Sequence, residues 1–442
     1  MGEKSFYIKT LGCKVNQYES QVIRENFLKN GFLEADNIDD AEFCVINTCT
    51  VTSASDSKSL RLIRDALKRK NKYVIATGCM IEVEDFSSYA LPGIKLIVKN
   101  KDKYRIPEVV IEEQRAESVP YHRLRRGTGQ EEKKEKRKGY RVGITGFKGH
   151  TRVFVKIQDG CDNLCSYCKV RIVRGRSISR PFKEVLDECI TLIRNGAKEI
   201  VLTGICLGAY GRDLLNGMSL PGLIQEICKI DGDWRLRLSS IEPKDVDENL
   251  IYQIQMQPKM CKHLHVPFQS GDDSVLKSMH RPYTKAEYVN IVNKLRSKVP
   301  DIGITTDIMV GFPGEAEERF YNTVDFIREV RPMRIHIFPY SRRDRTEAYK
   351  YDDGISYSVK RERKDILSRL AKDLAIEFVK GFLKKETRIL VEDKRSSEGL
   401  LQGYTDRYIK AYIDGPDTLK GRFVTSCLAL TNDKPYGILP SY

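Results

Sequence analysis

Short apolar runs alternate with amphipathic stretches along the first part of the chain. Residues 5–10, 42–47 and 73–77 are apolar and rich in β-branched and aromatic side chains, which predicts three strands. Amphipathic stretches at 18–29 and from the end of TCTVTSAS (48–55) to about residue 70 predict a helix after each of the first two strands. Strands that alternate with helices indicate a parallel sheet with helices on its faces.

A second alternation begins at Arg152. Six apolar runs predict six further strands, and the stretches between them have helical periodicity. Six βα units predict a partly open (βα)6 barrel, a fold in which ligand sites lie at the carboxyl ends of the strands. The predicted strands are 153–157, 199–203, 235–239, 263–267, 303–309 and 334–338, the predicted helices between them include 183–195, 220–230, 284–298 and 316–330, and a long polar helix is predicted over 358–384.

The last part of the chain changes character again, because short β-type runs there are separated by Gly, Asp and Pro turns. This pattern predicts a small β-barrel, a fold that often binds nucleic acid. The predicted fold class is therefore α/β for the N-terminal part of the chain and for the six-strand barrel that follows it. The predicted domains are an N-terminal parallel α/β domain (1–121), a basic linker (122–150), a (βα)6 barrel domain (151–378) and a C-terminal β-barrel (379–442).

Composition narrows the class of protein. The chain has 442 residues, of which 40% are hydrophobic, and a net charge of +15, so it is not a disordered chain of low hydrophobicity. We find neither an apolar run of membrane-spanning length nor an N-terminal signal core, and we expect a soluble, cytoplasmic protein without membrane contact. Residues 122–152 carry 11 basic and 3 acidic side chains, which suits either a solvated linker or an arm that contacts phosphates.

The chain contains twelve cysteines, which in a cytoplasmic protein favour metal or redox chemistry over disulfides. Cys161, Cys165 and Cys168 form a Cys-x3-Cys-x2-Cys motif just after the first barrel strand. Thiolates are the ligands that hold iron–sulfur clusters, and three of them leave one iron of a cubane open for a substrate or cofactor. The alternative is a zinc site completed by a histidine, but the local loop contains none.

Three further cysteines lie at equivalent positions relative to the predicted strands. Cys13, Cys49 and Cys79 each follow the end of a predicted strand by a few residues, at the sheet edge where ligand sites gather. Cys44 competes with Cys49 but lies within its strand pattern. We interpret the remaining cysteines as buried small hydrophobic residues: Cys44, Cys189, Cys206, Cys228, Cys261 and Cys427.

The motif at Cys161, Cys165 and Cys168, with Tyr167 before its last cysteine, resembles the signature of radical S-adenosylmethionine (SAM) enzymes. The resemblance implies a 4Fe–4S cluster whose open iron chelates the amino and carboxylate groups of SAM. In that superfamily an electron from the cluster cleaves SAM, and the resulting 5′-deoxyadenosyl radical removes a hydrogen from the substrate.

The resemblance extends over nearly the whole chain. The strings TLGCKVNQYES, VINTCTVT and ATGCM, the later segments HVPFQSG and TTDIMVGFPGE, and the tail resemble the radical SAM methylthiotransferases with their RNA-binding TRAM domain. This family resemblance assigns Cys13, Cys49 and Cys79 to a second, auxiliary 4Fe–4S cluster. It implies two 4Fe–4S clusters and two molecules of SAM per turnover, with no catalytic residue beyond the cluster ligands.

The same resemblance implies which residues hold SAM. It places Tyr167 near the adenine, Thr203 and Gly204 near the amino group, Ser240 and Glu242 near the ribose hydroxyls or the ammonium, and Gln269 and Val310 near the adenosyl group. Loop capping is the alternative role for Thr203, Ser240 and Gln269, and core packing is the alternative for Val310.

Some positions depart from the family pattern. Lys169 and Arg171 stand in a segment that usually ends in proline, Cys206 stands where the family often has Asn or His, and Asp344-Arg345 replaces a Pro-Gly pair. We expect these changes to alter substrate contacts without abolishing the chemistry.

Three arginines follow the cysteine loop in RIVRGRSISR. Arg174, Arg176 and Arg180 could each face a cofactor carboxylate, an RNA phosphate or solvent.

The methylthiotransferases comprise three subfamilies with different substrates. The string at 336–340 (HIFPY) and the basic linker favour a tRNA enzyme that inserts a methylthio group at C2 of N6-threonylcarbamoyladenosine. The alternatives are N6-isopentenyladenosine in tRNA, an aspartate of a ribosomal protein, or a non-catalytic iron–sulfur or zinc RNA-binding protein. The expected partners are the tRNA anticodon stem-loop and a flavodoxin- or ferredoxin-like electron donor.

Overall fold

The computed structural model divides into two compact units. Unit 1 contains residues 1–144 together with Ile172–Arg174, and unit 2 contains Thr145–Arg171 and Gly175–Tyr442. Residues 122–142 of the predicted basic linker lie outside the described part of the chain. The structure describes residues 4–70, 72–83, 91–117, 143–215 and 217–438.

Unit 1 is built on a five-stranded, fully parallel sheet, as the alternating pattern predicts. Its elements are β1 (Ser5–Thr10), α1 (Lys14–Lys29), β2 (Leu33–Glu34), β3 (Phe43–Thr48), α2 (Ser53–Leu67), β4 (Tyr73–Gly78), α3 (Cys79–Val83), β5 (Ile94–Val98) and α4 (Ile106–Glu117). The strand order is β2-β1-β3-β4-β5. Every side chain of β3 is buried, because a central parallel strand is covered on both faces.

Two hydrophobic clusters fix unit 1. Phe6, Phe27, Phe32 and Phe43 form a chain of ring contacts in one cluster, with the Phe6 and Phe27 rings stacked 4.6 Å apart. The other cluster is aliphatic and includes Ile46 from β3. The sheet is therefore held from both sides, which sets the positions of the loops at its carboxyl edge.

Unit 2 begins with the six predicted parallel strands. Its elements up to the last barrel strand are β6 (Arg152–Lys156), β7 (Gln158–Asp159), α5 (Val170–Arg174), β8 (Ile178–Ser179), α6 (Phe182–Arg194), β9 (Glu199–Thr203), α7 (Leu220–Cys228), β10 (Arg235–Leu238), α8 (Glu248–Met256), β11 (His263–His265), α9 (Asp273–Ser278), α10 (Lys285–Lys298), β12 (Gly303–Val310), α11 (Glu317–Val330) and β13 (Arg334–Pro339). The last three residues of α5 belong to unit 1.

These strands form a partly open barrel. The sheets β10-β9-β6 and β11-β12-β13 are joined by parallel bridges between Leu236 and Met260 and between Ser240 and His265. The α/β class and the partial (βα)6 barrel predicted from the sequence are therefore confirmed.

A long helix and a small closed barrel complete unit 2. They comprise α12 (Tyr357–Lys380), β14 (Glu386–Arg395), β15 (Leu401–Thr405), β16 (Lys410–Ile413), β17 (Phe423–Thr431) and β18 (Lys434–Ile438). The strand order β14-β15-β16-β18-β17 closes the barrel, as the β-rich tail predicts. In the described part of the chain, no helix is both long enough and apolar enough to cross a bilayer.

The small barrel contacts the amino-terminal end of the larger one through Tyr408. The Tyr408 ring lies 4.7 Å from the His263 ring, and its centroid lies 4.8 Å from the Arg237 guanidinium and 5.1 Å from that of Arg334. Side chains from three different strands meet one ring, so these side chains point into the barrel. Because strand side chains alternate, His336 lies on the same face of β13 as Arg334, and its side chain is exposed.

Candidate functional site

The barrel triad, which we define as Cys161, Cys165 and Cys168, lies in a loop between β7 and β8. These two short strands pair antiparallel and bring the ends of the loop together. The amide of Cys161 donates to the Gly175 carbonyl at 3.1 Å. Gly160, with φ +71°, makes the turn into the loop, and a Cβ there would lie 1.9 Å from the Arg176 carbonyl oxygen. The loop therefore requires glycine where it leaves β7.

A buried arginine contacts the barrel triad. Arg281 donates from Nη1 to the Cys165 sulfur at 3.2 Å and from Nε to the Tyr283 hydroxyl at 2.7 Å. Its third nitrogen donates to the carboxylate of Glu242. The positive charge is thus fixed between a cluster cysteine and one of the residues expected to hold SAM.

The three barrel thiols have different electrostatic surroundings. A hydrogen bond from Cys206 lowers the pKa of Cys161 to about 7. Burial raises the pKa of Cys165 and raises that of Cys168 to about 12. Cys206 is buried as expected, but it contacts a cluster cysteine rather than only apolar neighbours.

Gln158 connects the cysteine loop to the second barrel strand. Its Nε2 donates to the Gly160 carbonyl and the Ser177 hydroxyl, each at 2.8 Å, and its Oε1 accepts from the Cys206 amide at 2.8 Å. A Cβ on Gly204 would lie 2.8 Å from Gln158 Oε1, so glycine is needed there for close packing.

All seven residues expected to hold SAM lie in unit 2, near the carboxyl ends of barrel strands or in the cysteine loop. Thr203 and Val310 end β9 and β12 and are buried, whereas Ser240 is exposed just after β10. Tyr167 lies against Phe312 with ring centroids 6.3 Å apart, and burial raises the pKa of its hydroxyl well above the usual range. The structure therefore brings these residues to one end of the barrel, as Gly204, Glu242 and Gln269 also follow strand ends.

Gln269 has two unusual features. Its φ is +80°, in the region that favours glycine, and its buried side-chain Oε1 has no hydrogen-bond partner among the described residues. A buried amide oxygen without a partner costs free energy unless a ligand or water supplies a donor. Gln269 is thus suited to accept a hydrogen bond from a bound molecule.

The N-terminal triad, which we define as Cys13, Cys49 and Cys79, lies at the carboxyl edge of the unit 1 sheet. Cys13 precedes α1, Cys49 directly follows β3, and Cys79 directly follows β4. The strands β1, β3 and β4 are adjacent in the sheet, so the three loops meet. A Cβ on Gly12 would lie 3.1 Å from the Cys49 sulfur. The sequence prediction that these three cysteines share one site agrees with this placement.

Each triad brings three thiols near one another, as a cluster with three cysteine ligands requires. Among the described residues, no three His, Cys, Asp or Glu side chains converge as ligands of one metal ion. In a cubane cluster each cysteine binds a different iron, so the sulfurs need not meet at one point. Within each triad the three thiols interact electrostatically with one another, as neighbouring ligands of one cluster would.

Several residues at these sites were missed or assigned differently from the sequence. Arg281 and Gln158 carry no local signal, because their partners are distant in sequence or lie in a loop. Lys169 pairs with Asp344, so two departures from the family pattern compensate each other. Of the arginines after the cysteine loop, Arg180 is buried against Glu188 at 2.6 Å rather than free to contact RNA.

Comparison with known proteins agrees with this geometry. The model of the radical SAM superfamily matches residues 155–327, and that of "Uncharacterized protein family UPF0004" matches residues 5–98. The threonylcarbamoyladenosine tRNA methylthiotransferase MtaB of Thermotoga maritima is 38% identical and covers 92% of this chain and 91% of its own length. MtaB of Bacillus subtilis is 36% identical, with coverage of 94% and 91%. The tRNA-2-methylthio-N(6)-dimethylallyladenosine synthase of Acetivibrio thermocellus is 34% identical, with coverage of 91% and 84%.

A solved structure supports the fold. The radical SAM methyltransferase TsrM of Kitasatospora setae, with cobalamin and a [4Fe-4S] cluster bound, superposes with a TM-score of 0.56 at 16% identity and covers 78% of this chain and 77% of its own. The barrel and its cysteine loop thus define a radical SAM protein. More narrowly, the chain belongs to the radical SAM methylthiotransferase family, whose cofactors are SAM and two 4Fe–4S clusters. The family resemblance is therefore confirmed.

Proposed function

We propose that the protein is a tRNA methylthiotransferase that inserts a methylthio group at C2 of N6-threonylcarbamoyladenosine next to the anticodon. The observation that carries this proposal is the similarity to two relatives named for that substrate, at 38% and 36% identity over nine-tenths of each chain. The relative named for dimethylallyladenosine is 34% identical, which makes that modified base the second candidate.

The two triads divide the chemistry. The barrel triad would hold the cluster that binds SAM, and the N-terminal triad would hold the auxiliary cluster. When bound, these groups supply the electron that cleaves SAM and the sulfur that is methylated and inserted. The chain itself fixes the ligands: Gln158 and Gly160 shape one loop, and the strand ends of the unit 1 sheet position the other.

Two of the residues that would hold SAM, Tyr167 and Glu242, interact electrostatically with thiols of the barrel triad. Glu242, fixed by Arg281, offers a carboxylate to a ribose hydroxyl or to the ammonium of the methionine moiety. Gln269 offers its unpartnered Oε1 to an N–H or O–H donor. Tyr167, Thr203, Gly204, Ser240 and Val310 would line the remaining surface of the same cofactor.

The chemistry of His336 bears on the choice between the two candidate bases. The threonylcarbamoyl group carries a carboxylate, whereas the isopentenyl group is apolar. His336 lies on the same face of β13 as Arg334, and a hydrogen bond to Asp307 raises the pKa of its imidazole, which favours its cationic form. A cation beside the modified base favours the substrate that carries the carboxylate.

The small C-terminal barrel would act as the TRAM domain and bind the anticodon stem-loop largely through phosphates. An electron donor of the flavodoxin or ferredoxin type would reduce the cluster in the cytoplasm. The basic segment at 122–152 would add to the attraction for RNA.

Nucleoside mass spectrometry of bulk tRNA, with and without the gene, tests the substrate. Loss of the methylthio form of threonylcarbamoyladenosine, with accumulation of its precursor, is the expected result. Loss of the methylthio isopentenyl form would instead identify the second candidate. No change in either base would contradict a tRNA substrate and direct the search to the ribosomal protein.

Cysteine variants test the division between the triads. Cys165→Ala should abolish release of 5′-deoxyadenosine, because the SAM-binding cluster then lacks one of its ligands. Cys49→Ala should spare that release and stop sulfur insertion. Cys44→Ala, which removes a buried thiol within β3 itself, is the matched control and should retain both activities. Thiomethylated product from the Cys49 variant would show that the auxiliary assignment is wrong.

A further inference from the structure

Unit 1 contains a buried cluster of charged side chains beside the N-terminal triad. The Glu19 carboxylate accepts from Lys103 Nζ at 2.6 Å and from Arg174 Nη1 at 2.6 Å. The side chains of these three residues are only 1–2% exposed. The Glu19 carboxylate thus lies between a lysine and an arginine, and buried charges of this kind are stabilised by such pairing.

Arg174 connects this group to a cysteine of the triad. Its Nε donates to the Cys79 sulfur at 3.2 Å, and its Nη2 donates to Asn16 Oδ1. Asn16 is itself fixed, because its Nδ2 donates to the carbonyls of Leu11 at 2.7 Å and Thr48 at 2.9 Å. The guanidinium is therefore held in one orientation, with its Nε–H directed at the sulfur.

The charge and the hydrogen bond of Arg174 would both act on a cluster held by the N-terminal triad. An oxidised 4Fe–4S core with three thiolate ligands carries one net negative charge, and the buried Arg174 guanidinium contacts one of the three cysteines that would hold it. Hydrogen bonds to cluster sulfurs and nearby charges are two of the factors that set cluster reduction potentials. A cation and an N–H donor both favour the reduced, more negative state of a cluster.

We propose that Arg174 is a positioning residue of the auxiliary cluster. Its guanidinium holds the Cys79 thiolate by a hydrogen bond and raises the reduction potential of the cluster, and the Glu19 carboxylate partly offsets this increase. This inference rests on the proposed assignment of Cys13, Cys49 and Cys79 to that cluster. It goes beyond the assignment because it gives Arg174 and Glu19 opposite effects on one measurable quantity.

The test uses the full chain with Cys161, Cys165 and Cys168 all replaced by Ala, so that only the auxiliary cluster is reconstituted. The midpoint potential is measured by redox titration followed by electron paramagnetic resonance. In this background, Arg174→Gln should lower the ratio of reduced to oxidised cluster at a fixed potential at least tenfold. For a one-electron couple, this corresponds to a shift of the midpoint potential by about −59 mV. Arg174→Lys should give a smaller shift, because it keeps the charge but not the planar donor geometry.

Two further variants make the result specific. Glu19→Gln should shift the midpoint in the positive direction, which general damage to the site would not do. Arg61→Gln removes the same charge from a side chain of unit 1 that is 82% exposed, and it should leave the midpoint unchanged.

Each contrary result has a definite meaning. An unchanged midpoint in an iron-replete Arg174→Gln protein would overturn the proposal, as would an equal shift in Arg61→Gln. If the Arg174→Gln protein does not retain its iron, the Glu19→Gln variant provides the test. A midpoint potential that does not rise in Glu19→Gln would then overturn the proposal. If the background protein binds no cluster, the cysteine assignment itself fails, and the proposal fails with it.

Discussion

At the scale of single residues, the sequence identifies ligands better than it identifies what surrounds them. Cys49 could be predicted as a ligand because it follows an apolar strand directly, where the backbone must turn into a loop. Arg174 and Lys103 could not, because their contacts with Glu19 join residues 155 and 84 positions apart in sequence. Asn16 lies three residues after Cys13 in the first turn of α1, and that spacing is the one local signal that points to the site.

The ion pair between His336 and Asp307 gives a prediction about pH. His336 Nδ1 lies 3.4 Å from Asp307 Oδ1, and Asp307 also contacts His265 at 3.2 Å. The hydrogen bond to Asp307 raises the pKa of His336, while partial burial and the positive charge of Lys364 oppose this. A histidine with a raised pKa stabilises the fold fully below its unfolded pKa of 6.5, and this contribution disappears as the pH rises through the folded pKa.

Asp307→Asn should therefore lower the pKa of His336 to 6.5 or below, as measured by titration of its imidazole resonances in nuclear magnetic resonance spectra. The same variant should flatten the loss of stability that accompanies a rise in pH above 6.5. Asp325→Asn, on an exposed face of α11, is the control and should change neither quantity. An unaltered His336 titration in Asp307→Asn would contradict the role given to the carboxylate.

At the scale of elements, hydrophobic periodicity predicts the positions of strands and helices well. It predicts the first turns of helices less well. The predicted strand at 199–203 agrees with β9, which spans Glu199–Thr203. The helix predicted from residue 18 begins instead at Lys14, because Cys13 is its N-cap and the polar residues of its first turn do not show the apolar period. The short strands β7 and β8 were not predicted, since two residues are too few to show any alternation.

Those two strands make the cysteine loop dependent on one glycine. Gly160→Ala would place a methyl group 1.9 Å from the Arg176 carbonyl oxygen at a φ of +71°, so the loop must move. The left-handed conformation alone costs roughly 1–2 kcal/mol for a residue with a Cβ. We expect iron in the reconstituted protein to fall from about eight to about four atoms per chain, because only the barrel triad is displaced.

Gly146→Ala is the matched control, because a Cβ there meets nothing within 4 Å. It should bind as much iron as the unchanged chain. Full iron content in Gly160→Ala would show that the loop can accommodate a side chain and that its geometry is not fixed at this turn.

At the scale of the whole molecule, a polar network at the amino-terminal end of the larger barrel joins the two barrels of unit 2. Glu199 accepts from Arg235 Nε at 2.6 Å and from Arg237 Nε at 2.7 Å, with all three side chains buried. The two arginines also donate to the carbonyls of Tyr404, Thr405 and Asp406 at 2.8–3.0 Å. The sequence did not predict this contact between the two barrels, since it joins charged residues about 170 positions apart.

Glu199→Gln should destabilise unit 2 strongly. The variant keeps the shape of the side chain but leaves two buried guanidinium groups without a counter-charge, which costs about 3–5 kcal/mol. Urea unfolding should show a lower midpoint, and limited proteolysis should release the C-terminal barrel sooner. Glu226→Gln removes an exposed partner of Lys229 and should leave the midpoint unchanged. Equal midpoints for the two variants would mean that the network does not hold the barrels together.

The charge of the whole chain leads to a prediction about RNA. Of the net charge of +15, the segment 122–152 contributes +8, from 11 basic and 3 acidic residues. If the segment neutralises phosphates, each phosphate that it neutralises releases a counterion, and the affinity for tRNA must fall steeply with salt. Replacing Lys133, Lys134, Arg137 and Lys138 with Gln should reduce the slope of log affinity against log salt by about 0.7 for each phosphate that the variant no longer neutralises.

The matched control replaces four exposed basic residues of unit 1, Arg61, Arg64, Lys68 and Arg69, with Gln. Equal slopes for the two variants would show that only the total charge matters, whereas a smaller slope for the segment variant alone would identify 122–152 as the arm that contacts phosphates.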